Sequence, residues 1–220
     1  MKTKVAAFIR NNLPAFHERR LDSLGKLKLD EVLQRMNPYL FKAKNINTAG
    51  GFVRAILDAH LSSQEETIFG ALLESVAIYA SSITLGGFKS AIEGIDLEFT
   101  QDGTRYIVSI KSGPKWANSS QLKKMKENFR KAKVVLRQNK SVKDIVAVNG
   151  CCYGRDNKPD KGDYFKFCGE KFWTLISGEE SLYLDLIEPL GNKAKQRNEA
   201  FHDEYGKAIT RFTKVFIEEF

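Results

Sequence analysis

Asp96, Glu98, Ser109 and Lys111 are the residues in this chain whose types and spacing suit phosphate or metal chemistry. Residues 94–111 read G-I-D-L-E-F-T-Q-D-G-T-R-Y-I-V-S-I-K, two alternating runs joined by Asp102-Gly103. Asp-Gly between such runs is a strong hairpin signal, because a type I′ turn needs positive φ at both central positions. With that turn Gln101 faces Thr104. Asp96 then falls opposite Ser109, Glu98 opposite Ile107, and Gly94 opposite Lys111. Directly opposed residues share a face, so one face carries Asp96, Glu98, Ser109 and Lys111. The other carries Ile95, Leu97, Phe99, Tyr106, Val108 and Ile110. Carboxylates two apart on a strand can hold a divalent cation through hard oxygen ligands. A lysine beside them can orient a water or stabilise phosphate charge. A solvated hairpin with a cross-strand salt bridge accounts for the same residues equally well.

The flanking elements must position this hairpin. Residues 63–66, S-Q-E-E, form a capping-box pattern. They predict a helix to about residue 85, ended by Gly86-Gly87. Glu74 is the only ionisable charge between Thr67 and Phe88, on a helix apolar nearly all round. A lone carboxylate there is costly unless it is paired, metal-bound or at the rim. After the hairpin, Ser112-Gly113-Pro114 breaks the strand, and 118–120 offer N-caps for a helix to about residue 137. Leu122, Met125, Phe129, Ala132 and Leu136 form its predicted buried stripe. Nine Lys or Arg and one acid, Glu127, lie between Lys115 and Lys140. That face reads as a phosphate track or as a basic solvated helix. Glu127 is either a metal ligand or an i,i+4 partner of Lys131. Residues 142–148, V-K-D-I-V-A-V, predict a central strand, returning by a right-handed crossover. Residues 149–162 read as a polar loop and 164–167 as a short strand.

The ends of the chain read helical. Residues 3–36 carry breaks at Pro14 and near Gly25, with Leu27, Leu29, Val32, Leu33 and Met36 as an apolar stripe. A short helix is expected over about 52–60. Further helices are expected over 172–176 and 181–187, with a break at 189–191. The last runs from about 192 to 220, with an aromatic stripe of Phe201, Tyr205, Ile209, Phe212, Val215, Phe216 and Phe220.

The 220 residues suit one domain of ordinary size. Within it, 1–62 is a helical N-terminal region, 63–176 the core and 177–220 the C-terminal helices. A formal net charge of +8 favours an acidic partner, nucleic acid or an anionic membrane. Cys151, Cys152 and Cys168 are too few for a disulfide scaffold and form no paired metal hooks, so free buried thiols are expected. His17, His60 and His202 show no ligand spacing. The longest uncharged segments flank Glu74 and are rich in Ser, Thr and Gly, a poor membrane span. With no secretory signal visible, a cytoplasmic location and no membrane partner are expected.

An Asp, a turn and a strand ending in x-x-Lys resemble the PD-(D/E)xK nuclease core. The longer run I-K-S-G-P-x-W-x-N-S-S-Q at 110–121, and G-E-K-F-W-T-L-I-S-G-E-E-S-L-Y at 169–183, are similar to a group of small type II restriction endonucleases of that superfamily. The resemblance implies an α/β fold: a restriction-endonuclease-like core, a central mixed β-sheet flanked by helices, with additional N- and C-terminal helices. It implies Mg²⁺-dependent, site-specific cleavage of double-stranded DNA by a homodimer. Asp96 and the carbonyl of Ile110 would bind the metal, Lys111 would serve the attacking water, and Ser109 would donate a hydrogen bond nearby. Ser109 stands where the superfamily has an acid. The resemblance therefore implies a migrated carboxylate, drawn from Glu74, Glu98 and Glu127. Lys115, Trp116, Asn118, Ser119, Gln121, Lys123, Lys124, Arg130 and Arg155 are the expected DNA contacts. The alternatives are a repair nuclease or junction resolvase, or a catalytically inactive DNA-binding protein of the same fold.

Overall fold

The computed structural model describes residues 1–34, 37–139 and 144–219. Met36, Phe220, Lys140 and the expected strand start at Val142 lie outside the described residues. The chain forms two compact units, one of Met1–Asn11 and Gly70–Leu190, the other of Asn12–Phe69 and Gly191–Phe220.

The first unit is α/β, built on a mixed sheet with helices packed against it, as expected. Among the described residues the sheet has five strands: β1 (Phe88–Lys89), β2 (Leu97–Gln101), β3 (Thr104–Lys111), β4 (Asp144–Cys151) and β5 (Phe165–Cys168). They lie side by side in chain order. The pairs β1–β2 and β2–β3 are antiparallel, whereas β3–β4 and β4–β5 are parallel. Helix α5 (Ser119–Arg137) makes the crossover between β3 and β4, the connection that a parallel pair requires. The hairpin register is the expected one, with Gln101 against Thr104 and Glu98 against Ile107. Asp102 and Gly103 take φ of 50° and 78°, the left-handed values of a type I′ turn.

Met125, Phe129 and Ala132 of α5 pack on Ile107 and Ala147, with Leu122 and Leu136 partly buried beside them. Ile95 joins this cluster, although strict alternation assigns it to the opposite face with Leu97 and Phe99. The ladder ends at Leu97, and the Ile95 amide turns back to the Ile92 carbonyl at 3.1 Å. The two-residue period therefore does not reach it. On the opposite face Leu97, Phe99, Val108 and Val148 are all fully buried. Phe172 of α6 (Glu170–Ser177) lies where a Cβ on Gly150 would be.

Several boundaries differ from the expected ones. Helix α1 (Lys2–Lys26) carries Pro14 inside it and ends only after Gly25. After α2 (Leu29–Leu33), Pro38 opens α3 (Pro38–Ala43), with the Asn37 side chain accepting from the Tyr39 amide. That is proline in its favoured first helical position. Helix α4 (Ala49–Leu85) is continuous through Ser63. The capping-box pattern is not used there, because no Gly or Pro before it interrupts the helix. The chain enters α4 through Thr48, whose carbonyl accepts the Phe52 amide at 2.9 Å. Asn149 lies in β4 and not in a loop. Pro189 sits within the short α8 (Ile187–Leu190), which follows α7 (Leu182–Asp185).

The second unit is helical. Its core joins Leu29, Val32, Phe41, Val53, Ile56, Leu57 and Phe212, the last from α9 (Ala194–Glu219). A neighbouring cluster holds Leu24, Leu61, Phe201 and Ala208. The aromatic stripe of α9 is thus core. Helix α4 is long and apolar enough to cross a membrane. In this fold its apolar residues enter protein cores, with Val76, Ala77 and Ala80 fully buried in the first unit and Val53, Ile56 and Leu57 in the second.

Gly150 sits in β4, paired on both sides, with the Phe172 ring against its backbone, and both are buried. Gly150→Ala is expected to cost about 1–3 kcal/mol through overpacking. Urea unfolding checks this, with an unchanged midpoint as the contrary result.

Candidate active site

Asp96 and Lys111 meet where β2 and β3 leave the ladder. Asp96 lies one residue before β2, and its amide donates to the Val108 carbonyl at 2.8 Å. Its Oδ2 accepts the Ile110 amide at 2.6 Å. The Lys111 ammonium lies 3.8 Å from the same oxygen. In a strand the N–H and C=O of one residue leave on the same edge. The Ile110 carbonyl therefore opens on the Asp96 side, while the Lys111 carbonyl accepts the Cys152 amide at 2.9 Å on the other. Asp96, Ser109 and Lys111 line an open cleft of about 180 Å³ with Trp116, Gln121 and Lys124.

Of the three candidate acids, Glu74 is electrostatically coupled to Asp96 and Lys111 of this cleft. Its carboxyl is held above the usual carboxylate range, first by burial and then by the charge of Asp96. Lys89 and Lys111 oppose that rise, and Lys89 lies 3.7 Å away. Glu98 is buried at the same hairpin but turned to structural partners. It accepts the Ser90 hydroxyl at 2.7 Å and faces Arg105 at 3.9 Å. Glu127 is exposed and pairs with Lys131 at 3.3 Å, the i,i+4 arrangement. None of the three, Glu74 included, is among the residues that line the cleft.

Among the described residues no group of three or more His, Cys, Asp or Glu could hold a metal ion. The hard-oxygen donors brought together here are the Asp96 carboxylate and the Ile110 carbonyl, with the Glu74 carboxyl coupled electrostatically to Asp96. Those hard oxygens fit Mg²⁺, which keeps several waters and takes few protein carboxylates. Burial first and the charge of Asp96 second hold Glu74 up, and a bound cation would act against both.

Ser109 is buried, and its carbonyl accepts the Asn149 side-chain amide at 3.2 Å. Asn149 is fully buried, and its Oδ1 accepts the Trp116 indole N–H at 3.2 Å. The Trp116 ring in turn lies 5.3 Å from the Lys111 ammonium. Sequence reading missed Asn149 because it ended the strand at Val148. Extending the alternation one residue further brings Asn149 level with Ser109.

The other expected contacts divide. Trp116, Gln121 and Lys124 line the cleft. Lys115, Ser119, Lys123 and Arg130 are exposed on α5 or just before it. Asn118 and Gln121 form a capping box at the start of α5, each side chain bonded to the other's backbone amide. Arg155 lies elsewhere, in a second cavity of about 270 Å³ with Asp156, Lys171 and Tyr183. Cys151, Cys152 and Cys168 are free and buried, as expected. Burial and the nearby Glu74 push the Cys152 thiol up to about 12, so it stays protonated and unreactive.

The family model described as type II restriction endonuclease EcoO109I matches residues 3–198. No curated protein matches the chain.

A carboxyl raised in the folded state destabilises the fold at any pH where it ionises, since the unfolded chain carries that charge freely. Glu74→Gln is therefore expected to raise the Tm of the metal-free protein at neutral pH. The gain should fade as the pH falls through the unfolded glutamate range, where Glu74 is protonated in both states. Thermal melts in EDTA across that range read this directly. A lower Tm at neutral pH would mean that the Lys89 contact outweighs burial and repulsion.

Proposed function

Since the chain belongs to the EcoO109I family of type II restriction endonucleases, we propose that it hydrolyses phosphodiester bonds of double-stranded DNA at a specific sequence, with Mg²⁺. The observation that carries the assignment is the junction of Asp96, Ile110 and Lys111, in which one carboxylate oxygen meets a backbone amide at 2.6 Å and an ammonium at 3.8 Å. Asp96, the Ile110 carbonyl and Glu74 would hold the cation. When bound, it offsets charge on the phosphate and makes water a better nucleophile.

The chain's own residues do the rest. The Ile110 amide holds the Asp96 carboxylate in one orientation. Lys111 Nζ faces the same space, where its ammonium pairs with the scissile phosphate and hydrogen-bonds the attacking water. Ser109 presents a neutral hydroxyl to the cleft and is a donor, not a metal ligand. Lys123, Lys124 and Arg130 extend positive charge from the cleft along α5, the arrangement that tracks a phosphate backbone. The Gln121 carbonyl is engaged by the cap, which leaves its amide to donate to a base edge. Ser119 and Arg155 are further candidates for base contact. A palindromic site is read by two copies related by a two-fold axis, so the working form is a homodimer in the cytoplasm.

A long linear duplex of mixed sequence should give discrete fragments with Mg²⁺ and none with EDTA. Asp96→Ala and Lys111→Ala should each lower the cleavage rate by at least roughly 10²–10³-fold, the scale of a lost charge-stabilising group, with the fold intact by circular dichroism. A smear would point to a non-specific nuclease. Intact DNA that still shifts in a native gel would point to a binding protein. Either would sink the assignment.

A further inference from the structure

Lys111 is long and flexible, and its ion-pair distance to Asp96, 3.8 Å, exceeds a hydrogen bond. That contact alone does not fix the direction of the ammonium. A second restraint is built beside it. The Trp116 ring lies 5.3 Å from Lys111 Nζ, inside the range where the negative face of an indole attracts a cation. The indole is itself anchored. Its N–H donates to Asn149 Oδ1 at 3.2 Å, and Asn149 Nδ2 donates to the Ser109 carbonyl at 3.2 Å. Asn149 is fully buried, a costly place for an amide unless both its ends are satisfied. The anchor therefore runs from the Ser109–Asn149 pair, deep in the parallel β3–β4 ladder, through the indole to the ammonium two residues beyond Ser109.

We infer that Trp116 and Asn149 are positioning residues for Lys111: Asn149 clamps the indole, and the indole face holds the ammonium over the cleft beside Asp96. The inference rests on Lys111 serving hydrolysis as proposed above. It assigns Trp116 to the enzyme's own lysine and not to DNA.

The test compares W116F, W116L, N149L and the W116F/N149L double variant with the wild type and K111A. A misplaced catalytic group can cost on the order of 10²-fold. W116F, which keeps a ring but loses the N–H, should lower kcat about tenfold, and W116L more, with Kd for DNA within about twofold. N149L should match W116F, and the double variant should be no slower than either, because both break the same hydrogen bond. A second readout needs no cleavage: acylation of Lys111 by a lysine-reactive ester, followed by mass spectrometry on DNA-free protein. It should run about two- to fivefold faster in W116L, the equivalent of one exposed cation–π contact. If N149L fails to fold, W116F at its partly exposed position decides the kinetic question. Wild-type kcat in both Trp116 variants, or weaker DNA binding at unchanged kcat, would overturn the inference and leave the nuclease assignment standing. If the wild type itself does not cut, that assignment fails. The acylation rate then judges the positioning alone, and an unchanged rate rejects it.

Discussion

The hydrogen bond from the Ile110 amide to the Asp96 carboxylate, at 2.6 Å, ties the acid to the strand that carries the lysine. Asp96 lies just outside the regular ladder, its backbone held to β3 by the bond from its amide to the Val108 carbonyl. The bond to an ionised acceptor is of the stronger kind, and it makes the acid's position a property of β3. Lys111 is the next residue on that strand, so carboxylate and ammonium are set by one stretch of backbone. That stretch is in turn held by eight paired positions along β4. Slippage would move both groups together and not separate them.

Around this bond two acids and two lysines interact. Asp96 and Glu74 repel each other, and burial adds to the strain on Glu74. Lys89 and Lys111 offset part of it. A protein selected for stability alone would gain by removing one acid. Under the proposed function, keeping both would suit a site that takes a cation and a phosphate.

The hairpin was legible in the sequence because a two-residue Asp-Gly turn fixes the register for the whole ladder, and with it the shared face of Ser109 and Lys111. The same rule failed at Ile95, where pairing had stopped and the two-residue period no longer applied. Helix α4 was divided in two because S-x-x-E is a local pattern. A helix terminates only where the backbone is diverted, and nothing between His60 and Ser63 diverts it. Glu74 could be named but not separated from Glu98 and Glu127, since their partners Ser90, Arg105 and Lys131 are matters of three-dimensional placement. Asn149 carried no signal of its own. A buried asparagine and a loop asparagine look alike until the strand's end is known.

Burial bears on where the proposed second acid would stand. Ser109 is 2 % exposed, beside Met125 and under the Asn149 amide. A carboxylate at that depth would lose most of its hydration, with its backbone carbonyl already engaged. Glu74 approaches from α4, keeps about a third of its side chain in solvent and has Lys89 at 3.7 Å. The charge is costly there too, but less so. On the proposed assignment of Glu74, a serine in the strand and a glutamate on the helix form one arrangement: the neutral hydroxyl occupies the dry position, and the acid acts on Asp96 and Lys111 from a wetter one.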